Sequence, residues 1–166
     1  MEDYLVKRDI ALKNLKTADH LLNITYPIVK DPKLFLSVLD HLFLALLGSV
    51  TAILHYELHY RRVAYFKDNF QEKYDLFVRH CVKPYNINKD YLDFILSIKS
   101  LVIAHQKSSM EFVRKENIVI CDDKYSCKTI DVNLLRSYID KSRMFVYLIN
   151  NILHTDQKNL AKINYT

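Results

Sequence analysis

The chain is nearly without glycine: Gly48 stands alone among 166 residues. Turn-rich β-sandwiches and phosphate-cradling loops use glycine wherever φ is positive, and one glycine cannot supply a P-loop or a Rossmann fingerprint. That argues against nucleotide-binding α/β enzymes. Cysteine is scarce as well. Cys81, Cys121 and Cys127 make an odd count, and the opening residues carry acidic Glu2 and Asp3 where a signal peptide would be basic, so a reduced, cytoplasmic setting is expected. Repeats, low-complexity runs and the signatures of serine nucleophiles, kinases and paired catalytic carboxylates are absent; Asp122-Asp123 read as ordinary turn residues. A long hydrophobic run is also missing. Asp40 and His41 interrupt Leu34–Leu54, leaving its uncharged part too short to cross a bilayer, and no membrane role is expected. Nor does one sign of charge dominate, since 24 basic residues are interspersed with 19 acidic ones for a net charge of +5. Contact with nucleic acid is permitted by that balance and not demanded by it.

What is present is helical periodicity. Half of the residues are hydrophobic, and 166 residues suit one core. Leu5, Leu12, Leu15 and Leu22 mark a first helix from Glu2 to about Asn23, which Tyr26-Pro27 and Asp31-Pro32 bring to a close. Asp31 caps a second helix, Pro32 to Tyr65, whose stretch Leu42–Leu54 is apolar on every side and therefore central. Gly48-Ser49 within it marks a close-packing point or a mild kink. Phe70, Tyr74, Phe77 and Cys81 give a third helix ended by Pro84; Tyr91, Ile95, Ile98, Val102 and His105 give a fourth that runs out at Ser108-Ser109. Asn117–Cys121 and Tyr125–Ile130, rich in β-formers, read as a hairpin. A fifth helix starts from Asp131 and ends near His154. The reading is thus mainly α: an up-and-down bundle of four or five helices with a small β-hairpin before the last helix, one domain over 1–154, and a polar, fraying tail over 155–166.

Four groups of residues could carry chemistry. His41, His55 and His59 share one face of the second helix, and an i, i+4 histidine pair is acceptable ligand geometry, but Glu57 points away and interfacial histidines fit as well; no metal or other cofactor is expected. The run Tyr60–Lys67 alternates basic and aromatic residues. Guanidinium and ammonium groups hold phosphates and aromatic rings stack on unpaired bases, which makes Arg61, Arg62, Tyr65 and Lys67 candidate RNA contacts. Cys121 and Cys127, on opposite arms of the hairpin, either face each other or pack as small buried thiols; a shared zinc lacks a second pair of ligands.

The fourth group is Ile98-Lys99-Ser100-Leu101-Val102-Ile103-Ala104-His105. This stretch resembles the motif region of the HEPN superfamily, helical-bundle proteins in which an arginine, four to six intervening residues and a histidine form an RNase site. Lys99 stands where the family has arginine, followed by five residues and His105. Lysine is a point charge without the planar fork that grips phosphate. Six residues along an unbroken helix also leave Lys99 and His105 some 120° apart. The resemblance covers this motif, the order of helices and the hairpin, and it implies a homodimer whose protomers meet near the motif. The expectation is a non-catalytic, self-associating bundle that binds a partner, RNA or protein. The alternative is a metal-independent ribonuclease of toxin type with His105 as acid or base and Lys99 beside the phosphate.

Overall fold

The computed structural model describes residues 2–163, with 156–163 as backbone only. Helix α1 (Asp3–His20) buries Tyr4, Ala11, Leu15 and Ala18; of the predicted stripe Leu15 and Leu22 are buried, whereas Leu5 and Leu12 are half-buried at its edge. It does not stop at Tyr26-Pro27. A π-helical turn, Leu21–Thr25, carries it into the short α2 (Tyr26–Val29), and the Tyr26 N–H bonds the Leu21 carbonyl five residues back. The wider turn shifts the hydrogen-bond register where Pro27 has no N–H to offer, so the proline ends no helix there. Lys30, at φ 55°, closes the helix with its N–H on the Tyr26 carbonyl at 2.7 Å.

Asp31 accepts the Lys33 N–H at 3.0 Å and starts the turn into α3 (Leu34–His59). This is the central helix. It packs on α1, on α4 (Phe70–Phe77), on α5 (Asp90–Lys107) and on α6 (Val132–Ile163). By length and composition α3 could cross a membrane, yet half of its most apolar stretch is buried inside the bundle. It ends at His59, short of the expected Tyr65, for a local reason. Arg61 adopts φ 57°, the Arg62 N–H bonds the Glu57 carbonyl at 2.8 Å and the Arg61 N–H bonds the Leu58 carbonyl at 2.9 Å. That pair of bonds is a Schellman C-terminus, which usually takes glycine at the left-handed position. A chain with one glycine has Lys30, Arg61, Asn86, Lys115 and Tyr125 at its left-handed positions, the last two in the turns between strands.

Asn69 caps α4 through the Glu72 N–H at 2.9 Å, and a second π-helical turn, Val78–Val82, follows. Asn88 accepts the Asp90 N–H at 2.9 Å ahead of α5. The expected hairpin is a three-stranded antiparallel sheet in the order β1 (Met110–Arg114), β2 (Asn117–Cys121), β3 (Cys127–Ile130). Strand β1 escapes sequence reading because all five of its residues are exposed and no burial alternates along it. Its opposite number, β2, sends Ile118 and Ile120 into the core beside Ile130. Asp131 then caps α6, accepting the Leu134 N–H at 2.7 Å. The helix does not end near His154: its backbone continues to Ile163. Residues 164–166 lie outside the described residues.

Candidate nucleic-acid interface

The segment 60–69 crosses the wet end of α3, and two buried residues pin it down. Val63 and Phe66 are 8% and 7% exposed, and the Phe66 ring meets His55 edge-on at 5.4 Å. Between and around these anchors the polar residues divide into two sets. Arg62, itself half-exposed, clamps the buried Glu57 carboxylate with Nε at 3.0 Å and Nη2 at 2.8 Å; the Tyr85 hydroxyl donates to the same carboxylate at 2.5 Å. Its guanidinium also lies 5.2 Å from the centroids of the Tyr56 and Tyr60 rings. The bond to Glu57 holds Arg62 protonated well above the usual arginine range. Arg61, Tyr65 and Lys67 face solvent, Tyr65 with 86% of its surface exposed.

Beside Tyr65 is a pocket of about 160 Å³, walled by Lys7, Thr51, His55, Phe66, Asp68 and Lys73. Lys73 is a buried cation whose ammonium pairs with Asp68, a fully solvated carboxylate that the pairing holds below the usual carboxylate range. His55 donates its Nδ1–H to Asp3 Oδ2 at 2.5 Å. Burial lowers its pKa, Asp3 opposes, Lys7 and Lys73 lower it further, and Asp68 opposes again. Burial wins because Asp3 is 62% exposed and screened by water.

The three histidines do share one face of α3, but each is matched to a separate partner on or just before α1. His41 Nδ1 lies 2.8 Å from Asn14, His55 bonds Asp3, and His59 lies 3.7 Å from Glu2. Among the described residues no group of three or more His, Cys, Asp or Glu is placed to hold a metal ion.

Lys99 and His105 diverge as their spacing requires. The Lys99 ammonium sits 3.9 Å over the Phe70 ring on the α4 side. His105 Nδ1 is 2.5 Å from Glu111 Oε1 on β1, and Ser108 Oγ donates to the same oxygen at 2.8 Å. Cys121 and Cys127 pair across β2 and β3 as a disulfide closing the turn, so of the three thiols expected to be reduced only the buried Cys81 is free. Glu111, Lys7, Asp68 and Lys73 carried no signal in the sequence. Glu111 lies on an unforeseen strand, and the other three meet only because α1 and α4 flank the same stretch of α3. No protein-family model matches the chain, and neither a curated protein nor a solved structure does.

Proposed function

We propose that the chain is a non-catalytic, self-associating helical-bundle protein that binds single-stranded RNA along the segment 60–69. The observation that carries the RNA contact is Tyr65: an almost fully exposed ring, on a loop held by buried Val63 and Phe66, between the exposed cations Arg61 and Lys67. A rigidly based ring at a basic surface is a stacking platform, and each base stacked on an aromatic side chain contributes about 1–3 kcal/mol. Arg62 supports this loop from beneath. Fluorescence anisotropy with a labelled oligouridylate tests the reading: Tyr65→Ala weakens binding about tenfold, and Lys67→Ala lowers the salt slope by about one ion. An oligonucleotide that fails to bind at low salt, or binds Tyr65→Ala as well as wild type, defeats it.

Self-association is supported by the side of α3 that the other helices cover only in part, where Phe43 meets Phe70 of α4 at 5.9 Å. Leu36, Phe43 and Leu47 are half-buried there and Leu44 is 47% exposed, with Asp40 the one charged residue among them. A two-fold interface must be complementary to itself, and a nearly uncharged apolar strip meets that condition. Leu44→Lys is expected to yield monomers by light scattering. A wild-type monomer at micromolar concentration ends this part of the reading.

The ribonuclease alternative draws support from one contact, the His105–Glu111 hydrogen bond, which orients the imidazole as an acid–base group requires. The Lys99 ammonium, however, is turned to Phe70. Cleavage of single-stranded RNA that His105→Ala abolishes would favour it over simple binding.

A further inference from the structure

We propose that the pocket beside Tyr65 is a phosphoryl subsite, in which Lys7, His55 and Lys73 receive a phosphate group and Asp68 is the carboxylate which that group displaces. The subsite rests on the RNA reading only for the source of its phosphate.

The argument begins with Lys73. Its side chain is 9% exposed whereas that of its partner Asp68 is 93% exposed. A desolvated ammonium has three donors and needs acceptors, and Asp68, out on the surface loop, is the one carboxylate paired with it among the described residues. A solvated carboxylate leaves such a cation at small cost, because water hydrates it as well outside the pocket as at its mouth. An incoming anion therefore inherits a pre-formed, buried cation.

The remaining charges point the same way. Lys7 and Lys73 both press on His55, which places three cationic or protonatable nitrogens around one small volume, against Asp3 and Asp68. With His55 neutral, the two lysines and two aspartates balance. Exchange of Asp68 for a phosphate dianion makes the surroundings of His55 more negative and favours its protonation. Binding of the dianion then takes up a proton at His55, so affinity per dianion, with the phosphate's own protonation allowed for, rises as pH falls from 8 to 6. The volume limits the size of the ligand. About 160 Å³ holds more than a single water but is smaller than the roughly 300 Å³ at which pockets for drug-sized molecules begin, so a phosphoryl group enters and a whole nucleotide does not. Tyr65, at the rim, leaves a base attached to that phosphate outside the pocket and next to an exposed ring.

The test uses the full chain, with inorganic phosphate followed by calorimetry and oligouridylate followed by anisotropy. Wild type binds the phosphate dianion more tightly at pH 6 than at pH 8, with the dianion concentration worked out at each pH. Lys73→Met, which keeps the aliphatic stem, weakens phosphate about tenfold or more. Asp68→Asn, which keeps a side-chain oxygen for the Lys73 ammonium to donate to while removing the competing charge, tightens it about twofold or more, in protein whose circular dichroism matches wild type. Phosphate that does not bind wild type or Asp68→Asn at millimolar concentration, or an affinity that Asp68→Asn leaves unchanged, overturns the subsite, and oligouridylate bound normally by Tyr65 would leave the RNA reading standing. Conversely, phosphate that binds through Lys73 while oligouridylate does not bind at all sustains the subsite, with a free phosphate as its ligand, and ends the RNA reading.

Discussion

Gly48 offers the sharpest test of how the bundle is built. It is the single glycine, it lies inside α3, and a Cβ placed on it would sit 3.0 Å from Ala11 Cβ and 3.3 Å from Ala11 Cα on α1. In an isolated helix Gly→Ala stabilises by about 1 kcal/mol through backbone entropy. Here the added methyl meets another helix, and overpacking of that kind costs about 1–3 kcal/mol. The two effects oppose, and the contact wins because Ala11 Cα belongs to a backbone and cannot swing aside. Gly48→Ala is therefore expected to destabilise by about 1 kcal/mol net, and Gly48→Val, with two further methyls, by about 3 kcal/mol. Urea unfolding followed by far-ultraviolet circular dichroism reads both; at this chain length 1 kcal/mol corresponds to about 2–4 °C in Tm. Ala11→Gly in the Gly48→Ala background should recover much of the loss, since it moves the small residue to the other helix and restores the approach. A Gly48→Ala protein about 1 kcal/mol more stable than wild type would refute the reasoning. It would mean that propensity acts unopposed and that α1 and α3 do not touch at this point.

Three other perturbations have definite outcomes. Arg62→Met leaves the Glu57 carboxylate buried without its guanidinium and should cost about 3 kcal/mol, whereas Glu57→Gln leaves a half-exposed arginine that water can take and should cost about 1 kcal/mol; equal losses in denaturant would contradict the arrangement of one buried and one solvated partner. Lowering pH should destabilise the protein through His55: its folded-state pKa is below the unfolded value of 6.5, the unfolded chain binds the extra proton, and stability falls as pH drops from 7 through that value, a slope that His55→Gln flattens. For the cysteines, burial pushes the Cys81 thiol up to about 12, so iodoacetamide should leave it unmodified in the folded protein and label it in urea, and reduction of the Cys121–Cys127 bond should lower stability by about 2 kcal/mol on the chain-entropy estimate.

The helices were legible because their signal is local. A three-to-four-residue apolar stripe decides both that a segment is helical and which side is buried, and α1, α3, α4, α5 and the first part of α6 follow it. The misreadings have a common cause, hydrogen bonding that the side-chain pattern does not report. The π-helical turn at Leu21–Thr25 lets a helix pass Pro27, and the left-handed Arg61 stops α3 where the aromatic and basic residues would have carried it on. Strand β1 is held by its ladder with β2, from Met110 opposite Cys121 to Arg114 opposite Asn117, and not by burial, so no alternation betrays it.

The site shows the same division at finer grain. As text, Tyr60–Lys67 is a uniform run in which Arg61 and Arg62 are interchangeable. In the fold they are opposites, because the backbone reversal at Arg61 turns one arginine to water and the next onto Glu57, five residues back along the finished helix. That single left-handed residue therefore does two things: it ends α3, and it decides which of two adjacent cations is tied to Glu57. Arg61→Gly separates these roles. Glycine relieves the strain of a left-handed side-chain-bearing residue, worth about 1 kcal/mol, so the variant should be more stable than wild type while binding oligouridylate more weakly by the loss of one charge. Were Arg61→Gly less stable instead, the helix end would have to be held by the Arg61 side chain rather than by its backbone, and the division between the two arginines would need another cause.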